Sequence, residues 1–414
     1  MKKIMMATIV LLAIVSACSK DDFGKIPGPK KSEASFDATF TSQTVYFDSS
    51  EASKDVVSID LEKNIFTFKN SSEKAKKLKK GDVVLIHGQA LGKANRVTTS
   101  GSNIVVETVE ATLDELIEDG TIEWKTYCDF PPETDFIVLM DDKTVAPITR
   151  ASKGTKFSFN FGPYKYSINM DMKKEYANVK LEVSKSVGPL EAKMVAEGRI
   201  SSFYSENKIV YKKSKVTNYS NTNSNLQGDL TLSLVINASG NDYLDVEMPV
   251  VLLAYPVMVG PILTVIKVKL QILINTVVPV EGSAQISTKF KYSSQTGFVY
   301  DGVKTSAKAQ IGNFSIDKTL EPKTGAPSAI AVNFGIGFPR LEIGIFGQLI
   351  VPWIQTAFLI GGDYTAFPAC RQARAAFIGG CGVNFTFLGK EGGAKAIHNL
   401  WNEEKVIFKT GDCR

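Results

Sequence analysis

Apolar and polar residues alternate with period two along most of the chain, the pattern of strands with one buried face. Phe157, Phe159 and Phe161 alternate with Ser158 and Asn160, and Tyr164, Tyr166, Ile168 and Met170 continue the pattern. Leu230, Leu232, Leu234, Ile236 and Ala238 alternate with Thr231, Ser233 and Asn237. Between Ile262 and Thr276, Ile266, Val268, Leu270, Ile272 and Ile274 share one face, and Lys267, Lys269, Gln271 and Asn275 share the other. At about 3.3 Å per residue this stretch makes a strand of about 50 Å, far longer than usual. Ala284, Ile286, Thr288, Phe290 and Tyr292 alternate again, with Glu281-Gly282 as a turn in front of them. The two stretches are expected to form one long antiparallel hairpin with a wet and a dry face.

Helix signals are few. Thr112 can cap a helix with Glu115 three residues on, and Gly120 can end it, which predicts a helix over Thr112–Gly120. A second short turn is expected at Ile397–Trp401. Gly81-Asp82 leads into a strand at Val83–Ile86, and Arg96–Thr99 can pair with Ile104–Val109 through the turn Ser100-Gly101-Ser102-Asn103. The expected fold is mainly β, with long antiparallel sheets, sandwich-like or as one extended curved sheet. A small N-terminal β module carries the helix.

These patterns set the expected divisions. Residues 36–126 form the small module, Pro131-Pro132 marks a joint, and 136–414 form one large antiparallel β domain, with a division near 245 as the alternative. The patch Ser220-Asn221-Thr222-Asn223-Ser224-Asn225 is expected to be the tip of a long hairpin. Val250–Val280 is apolar, yet Pro249, Pro256, Pro261 and Pro279 punctuate it, and Lys267 and Lys269 sit mid-run. Both features argue against a membrane-spanning helix. The strands also lack the short-turn, aromatic-girdle pattern of a membrane barrel.

The N-terminus has a different character. Met1-Lys2-Lys3 precedes an apolar run from Ile4 to Val15, then Ser16-Ala17-Cys18. A basic start, a short apolar stretch and small residues describe a secretory signal, and the run is too short to span a bilayer as a helix. Val15-Ser16-Ala17-Cys18 resembles the lipobox of bacterial lipoproteins. That resemblance implies removal of residues 1–17, lipid on Cys18 and a tether over 18–35. Ser19-Lys20-Asp21-Asp22 resembles the acidic export signal of surface lipoproteins in Bacteroidota, which implies an outer-membrane protein facing the exterior. The Pro/Gly/Lys/Ser-rich stretch from Phe23 to Ser35 suits a solvated spacer.

Charge and cysteines narrow the picture further. The 48 Lys and Arg exceed the 43 Asp and Glu only slightly, and cleavage would remove two of the lysines. The basic residues are scattered, so nucleic acid is not an expected partner. Lys74-Ala75-Lys76-Lys77-Leu78-Lys79-Lys80 is one cluster, expected as a solvated turn before a strand. Apart from Cys18, the cysteines are Cys128, Cys370, Cys381 and Cys413. An even count in an exported chain predicts two disulfides with three connectivities open. With no Cys-x-x-Cys and two histidines, His87 and His398, a zinc site is not expected, nor any other metal or cofactor.

Catalytic motifs are also missing. No Gly-x-Ser-x-Gly, His-Glu-x-x-His or P-loop occurs, and Gly335-Ile336-Gly337 suits a glycine-relaxed strand. Glu133–Asp135 with Asp141-Asp142 are the carboxylates available for glycosidase chemistry, and Asp242, Asp245 and Glu247 lack calcium-loop spacing. His87 is expected at a strand end. Tyr164, Tyr166, Phe203, Tyr204, Tyr211, Tyr219, Trp124, Trp353 and Trp401 suit mostly core positions, with sugar stacking as the functional alternative.

Two segments resemble modules of exported bacterial and fungal proteins. One runs through Gly81-Asp82-Val83, Arg96-Val97-Thr98 and Glu110-Ala111-Thr112-Leu113-Asp114-Glu115. The other comprises Arg340–Gly347 and Gly382–Gly389. The resemblance implies a secreted β-rich architecture and carries no activity. The expected function is a non-catalytic, lipid-anchored surface protein that binds or scaffolds an extracellular glycan or protein. The alternatives are a carrier of lipid or another apolar ligand, and a glycan-binding or glycan-active protein.

Overall fold

A computed structural model describes residues 32–131, 148–151, 154–161, 164–187, 190–238, 242–278, 282–317, 331–346, 352–365, 368–383 and 396–413. The strands are β1 (Glu33–Phe40), β2 (Thr44–Phe47), β3 (Val56–Asp60), β4 (Ile65–Lys69), β5 (Val83–Ile86), β6 (Ala90–Ser100), β7 (Asn103–Val109) and β8 (Ile117–Cys128). They continue as β9 (Ile148–Ala151), β10 (Gly154–Phe161), β11 (Tyr164–Lys173), β12 (Tyr176–Val187), β13 (Leu190–Ser201), β14 (Phe203–Lys212), β15 (Lys215–Ala238) and β16 (Asp242–Val259). The last are β17 (Ile262–Val278), β18 (Gly282–Tyr300), β19 (Thr305–Ala307), β20 (Gln310–Asp317), β21 (Ala331–Ile345), β22 (Pro352–Thr365), β23 (Cys370–Val383) and β24 (Ala396–Gly411). Two short helices, α1 (Ser49–Asp55) and α2 (Leu113–Leu116), complete the regular structure with a 3-10 turn at Ala75–Lys77. The protein is mainly β, as its alternation predicts.

The small sheet has the order β2-β5-β6-β7-β4-β3. Arg96–Thr99 and Ile104–Glu107 pair in it as the turn at Gly101 dictates. β5 is buried on both sides, which explains its unbroken apolar run. Val84 and Ile86 enter a small core with Phe47, Phe66 and Phe68, while Val83 and Leu85 enter the main core. β1 and β8 flank this sheet in sequence but pair with each other in the large sheet. Residues 36–126 therefore contribute to two sheets, and the small sheet is an insertion between neighbouring strands of the large one.

The twelve-stranded sheet is organised by β15. β13 and β14 run end to end along one edge of it, from Glu191 opposite Asn237 to Lys212 opposite Lys215, with a break at Ser202. β12 lies beside β13, and β8 beside β14. β18 covers the other edge of β15 from Ala238 opposite Gly282 to Tyr219 opposite Tyr300. The Ser/Asn-rich patch at 220–225 is thus the interior of a strand and not a hairpin tip. Its alternation continues that of Tyr219, but with asparagine at the inward positions.

The third sheet is antiparallel, in the order β16-β17-β21-β22-β23-β24. β17 pairs with β16 and β21, whereas β18 pairs with β15, β19 and β20. The expected hairpin of these two long strands does not form. Their dry faces enter one sandwich core from opposite sheets, Ile266, Val268, Leu270 and Ile272 from one and Ile286, Phe290 and Tyr292 from the other, with β18 lying over β22 and β23. The sheets touch directly where the Phe290 and Tyr292 rings lie 5.3 and 5.0 Å from that of Phe358, and Tyr292 lies 5.7 Å from Phe377.

The two expected helices shrink or vanish. The Glu115 carboxylate accepts from the Thr112 N–H at 3.2 Å, but α2 ends at Leu116 and the chain becomes β8. Gly120 serves a close strand approach instead of a helix cap. It has φ +130°, and a Cβ there would overlap the Asp37 carbonyl oxygen on β1. Ile397–Trp401 belongs to β24, where Trp401 packs 5.2 Å from Phe377. Tertiary burial outweighs these weak local signals.

Of the two disulfides expected, the structure contains one. Cys370 and Cys413, 43 residues apart with Cα atoms 4.8 Å apart, tie the start of β23 to the chain end. Cys128 and Cys381 are buried thiols. Burial pushes the Cys128 thiol well up, and Cys381 to about 11, so both are held protonated and inert at neutral pH. Among the described residues no helix is long and apolar enough to cross a membrane.

Candidate functional site

Several residues singled out by sequence lie outside the described residues: Cys18, Ser19, Lys20, Asp21, Asp22, Glu133–Asp135, Asp141-Asp142 and the side chains of Asp242, Asp245 and Glu247. His87 follows β5, and its Nδ1 lies 2.6 Å from the Tyr46 hydroxyl. His398 belongs to β24 in a different sheet. Lys74 in the basic cluster pairs with Glu51 and donates to the Tyr46 carbonyl at 2.8 Å. Tyr166, Phe203, Tyr211, Tyr219, Trp124 and Trp401 are core residues, while Tyr204 and Trp353 are half-buried. Among the described residues no three His, Cys, Asp or Glu side chains gather as a metal site would need.

The structure instead assembles a cationic cluster on the third sheet, on the face away from the sandwich core. Period two puts Lys267, Lys269 and Gln271 of β17 on that face, because Ile266, Val268 and Leu270 fill the core. Register then sets Lys267 beside Glu342 and Trp353, and Lys269 beside Arg340 and Gln355. Glu342, almost fully buried, takes Lys269 Nζ at 2.5 Å and Arg340 Nε at 3.1 Å. A second guanidinium nitrogen of Arg340 donates to Gln355 Oε1 at 3.0 Å and Gln271 Oε1 at 3.4 Å. The guanidinium also stacks 4.7 Å from the Trp353 ring centre. Glycines make this packing fit. A Cβ at Gly337 would overlap Gln355, and one at Gly382 would overlap Trp353.

Three cations thus surround one carboxylate. Lys267, half-buried, has no ion-pair partner among the described residues. Burial, and then the Lys269 charge, hold its ammonium below the usual lysine range, with Glu342 opposing them. A half-buried site whose positive charge is uncompensated among the described residues attracts an anion, since the low local dielectric strengthens the pairing. Alternation at Lys267, Lys269 and Gln271 was the sequence signal for this face. Arg340 and Glu342 fell within the segment Arg340–Gly347, whose resemblance carried no chemistry, and their position beside β17 follows from strand order alone.

A second polar assembly interrupts the core of the large sheet. One cross-strand row joins Thr126 of β8, Ser205 of β14, Asn223 of β15 and Thr296 of β18, and the next joins Trp124, Asn207 and Asn221. All seven are buried, as is Ser294 nearby. The amides form a relay. Asn223 Nδ2 donates to Asn221 Oδ1 and Asn221 Nδ2 to Asn207 Oδ1, both at 2.7 Å, and Asn207 Nδ2 donates to Ser205 Oγ at 3.4 Å. Five buried atoms make no hydrogen bond within the protein: Trp124 Nε1, Thr126 Oγ1, Asn223 Oδ1, Ser294 Oγ and Thr296 Oγ1. Each costs about 1–3 kcal/mol if left dry. Together that is on the order of the whole stability of a folded domain.

Compared with protein-family models, curated proteins and solved structures, the chain matches none of them.

Proposed function

We propose that this protein is a non-catalytic, lipid-anchored surface protein that binds an anionic extracellular glycan through the cluster of Lys267, Lys269, Arg340 and Trp353. The observation that carries this is the charge imbalance: three cations around Glu342 in a half-buried patch. Carboxylates or sulfates repeated along a glycan would meet lysines spaced about 7 Å apart along one strand. The indole of Trp353 beside them suits the apolar face of a sugar ring. The lipobox ending at Cys18 and the acidic stretch Ser19–Asp22 support tethering at the outer membrane with the folded part outward.

The test is titration of the mature chain with polygalacturonate, dextran sulfate and neutral dextran at two salt concentrations. Binding of either anionic polymer, weakened by salt and lost in Lys267→Ala and Arg340→Gln, is the expected result. Equal binding of neutral dextran, or affinity unchanged in both variants, would overturn the assignment. The anchor is tested separately: Cys18→Ala should abolish lipid labelling, and protease added to intact cells should digest the wild-type protein.

A further inference from the structure

We infer that the acidic glycan held at the cationic cluster is the head of a glycolipid, whose alkyl chain lies on an apolar strip of the same sheet face. This rests on the anionic-glycan reading of the cluster. Register carries the inference. The outward face of the third sheet runs along its strands in rows about 7 Å apart. Lys267, Glu342 and Trp353 form one row, and Lys269, Arg340 and Gln355 the next. The third row joins Gln271, Gly337, Ala357 and Ile378, and the fourth joins Leu273, Gly335, Leu359 and Ala376. Charge ends at the second row. Beyond it Gln271 is turned to Arg340, at 3.4 Å, and the other positions of both rows are apolar.

Alternation sets the outward position of this strip. Ile272, Phe358 and Phe377 fill the core, so Leu273, Leu359, Ala376 and Ile378 point away from it, and all four stay half-buried. The wet face of an antiparallel sheet ordinarily carries polar side chains at such positions. From Leu273 to Ala376 the strip crosses three strand spacings, about 14 Å. Its glycines keep it level: a Cβ at Gly335 would overlap the Leu359 side chain. Such a glycine marks a close approach of another group. Glu404, opposite Ala376 and paired with Arg374 at 2.8 Å, closes the far end. This layout selects the ligand. A free acidic sugar would use the cluster and leave the strip wet. A neutral lipid would cover the strip and leave Lys267 without a counter-charge. An acidic sugar joined to an alkyl chain satisfies both.

Calorimetric titration of the mature chain with dodecyl glucuronide, methyl glucuronide and neutral dodecyl glucoside, each below its micelle concentration, tests this. Dodecyl glucuronide should bind at least about tenfold more tightly than either of the others, the worth of covering one leucine-sized side chain. Leu359→Ser with Ile378→Ser should lower it to the affinity of methyl glucuronide and leave polygalacturonate binding unchanged. Should the double variant fail to fold, a chain-length series of methyl, octyl and dodecyl glucuronide on the wild type reads the same contribution. Equal affinity for dodecyl and methyl glucuronide, with polygalacturonate still bound, would overturn the glycolipid inference alone. So would dodecyl glucoside binding as tightly as dodecyl glucuronide. No binding of any anionic probe would overturn it together with the glycan reading.

Discussion

Replacing Glu342 by glutamine removes the one carboxylate that the described residues bring to the cluster and leaves Lys267, Lys269 and Arg340 facing one another. Removing one partner of a buried ion pair costs about 3–5 kcal/mol, because the remaining charge stays buried and uncompensated. Glu342 is 5% exposed, but Lys269 and Arg340 are 14% and 20% exposed and can reach partly toward water, which favours the lower end, about 3 kcal/mol. An unfolding entropy of about 2.1 cal/mol/K per residue turns this into a melting shift of about 3–4 °C for a chain of 414 residues. Scanning calorimetry at pH 7 in low salt reads it. The control is Glu197→Gln, whose side chain is 61% exposed and pairs with Lys180 on the surface. It should move stability by less than about 0.5 kcal/mol. Sulfate at tens of millimolar should restore part of the loss in Glu342→Gln and leave the control unchanged. Equal shifts in the two variants, or no sulfate effect, would refute the cluster as a site of excess positive charge.

The other predictions follow from single features. Cys370→Ser with Cys413→Ser should cost about 4 kcal/mol by loop entropy for a separation of 43 residues, read by urea unfolding with and without reductant. Gly120→Ala should cost about 3 kcal/mol or more, since it adds a backbone overlap with Asp37 to an unfavourable φ, and circular dichroism melts would show it. Lys267 titrates below its unfolded value, so between its folded and unfolded pKa the unfolded chain holds more protons. Stability should therefore rise with pH on approaching 10.5 from below, and Lys267→Met should abolish that rise in parallel unfolding curves.

Strand content was legible because alternation is a local property: Leu230 to Leu234 or Ile266 to Ile272 bury one face wherever the strand lies. The turn at Gly101 and the solvated lysines near Ala75 were legible for the same reason. Partner identity was not. Nothing in β17 and β18 says whether two consecutive amphipathic strands pair with each other or join different sheets, and only the packed core decides that. The helix expected at Thr112–Gly120 failed because a capping signal is local, while Ile117, Ile122 and Trp124 are claimed by the large sheet.

The same division runs through the cationic cluster and the buried polar rows. Lys267, Lys269 and Gln271 stood out in the sequence as a polar face, but their union with Arg340, Glu342 and Trp353 depends on β21 and β22 coming to lie beside β17. Asn221 and Asn223 looked like loop residues because composition carries no record of burial. Sequence by itself determined which side chains alternate and where a local turn such as that at Gly101 falls. Only the tertiary structure decided which strands are neighbours. Charge clusters and buried polar rows arise between neighbours, so they follow from register and strand order more than from any single stretch of chain.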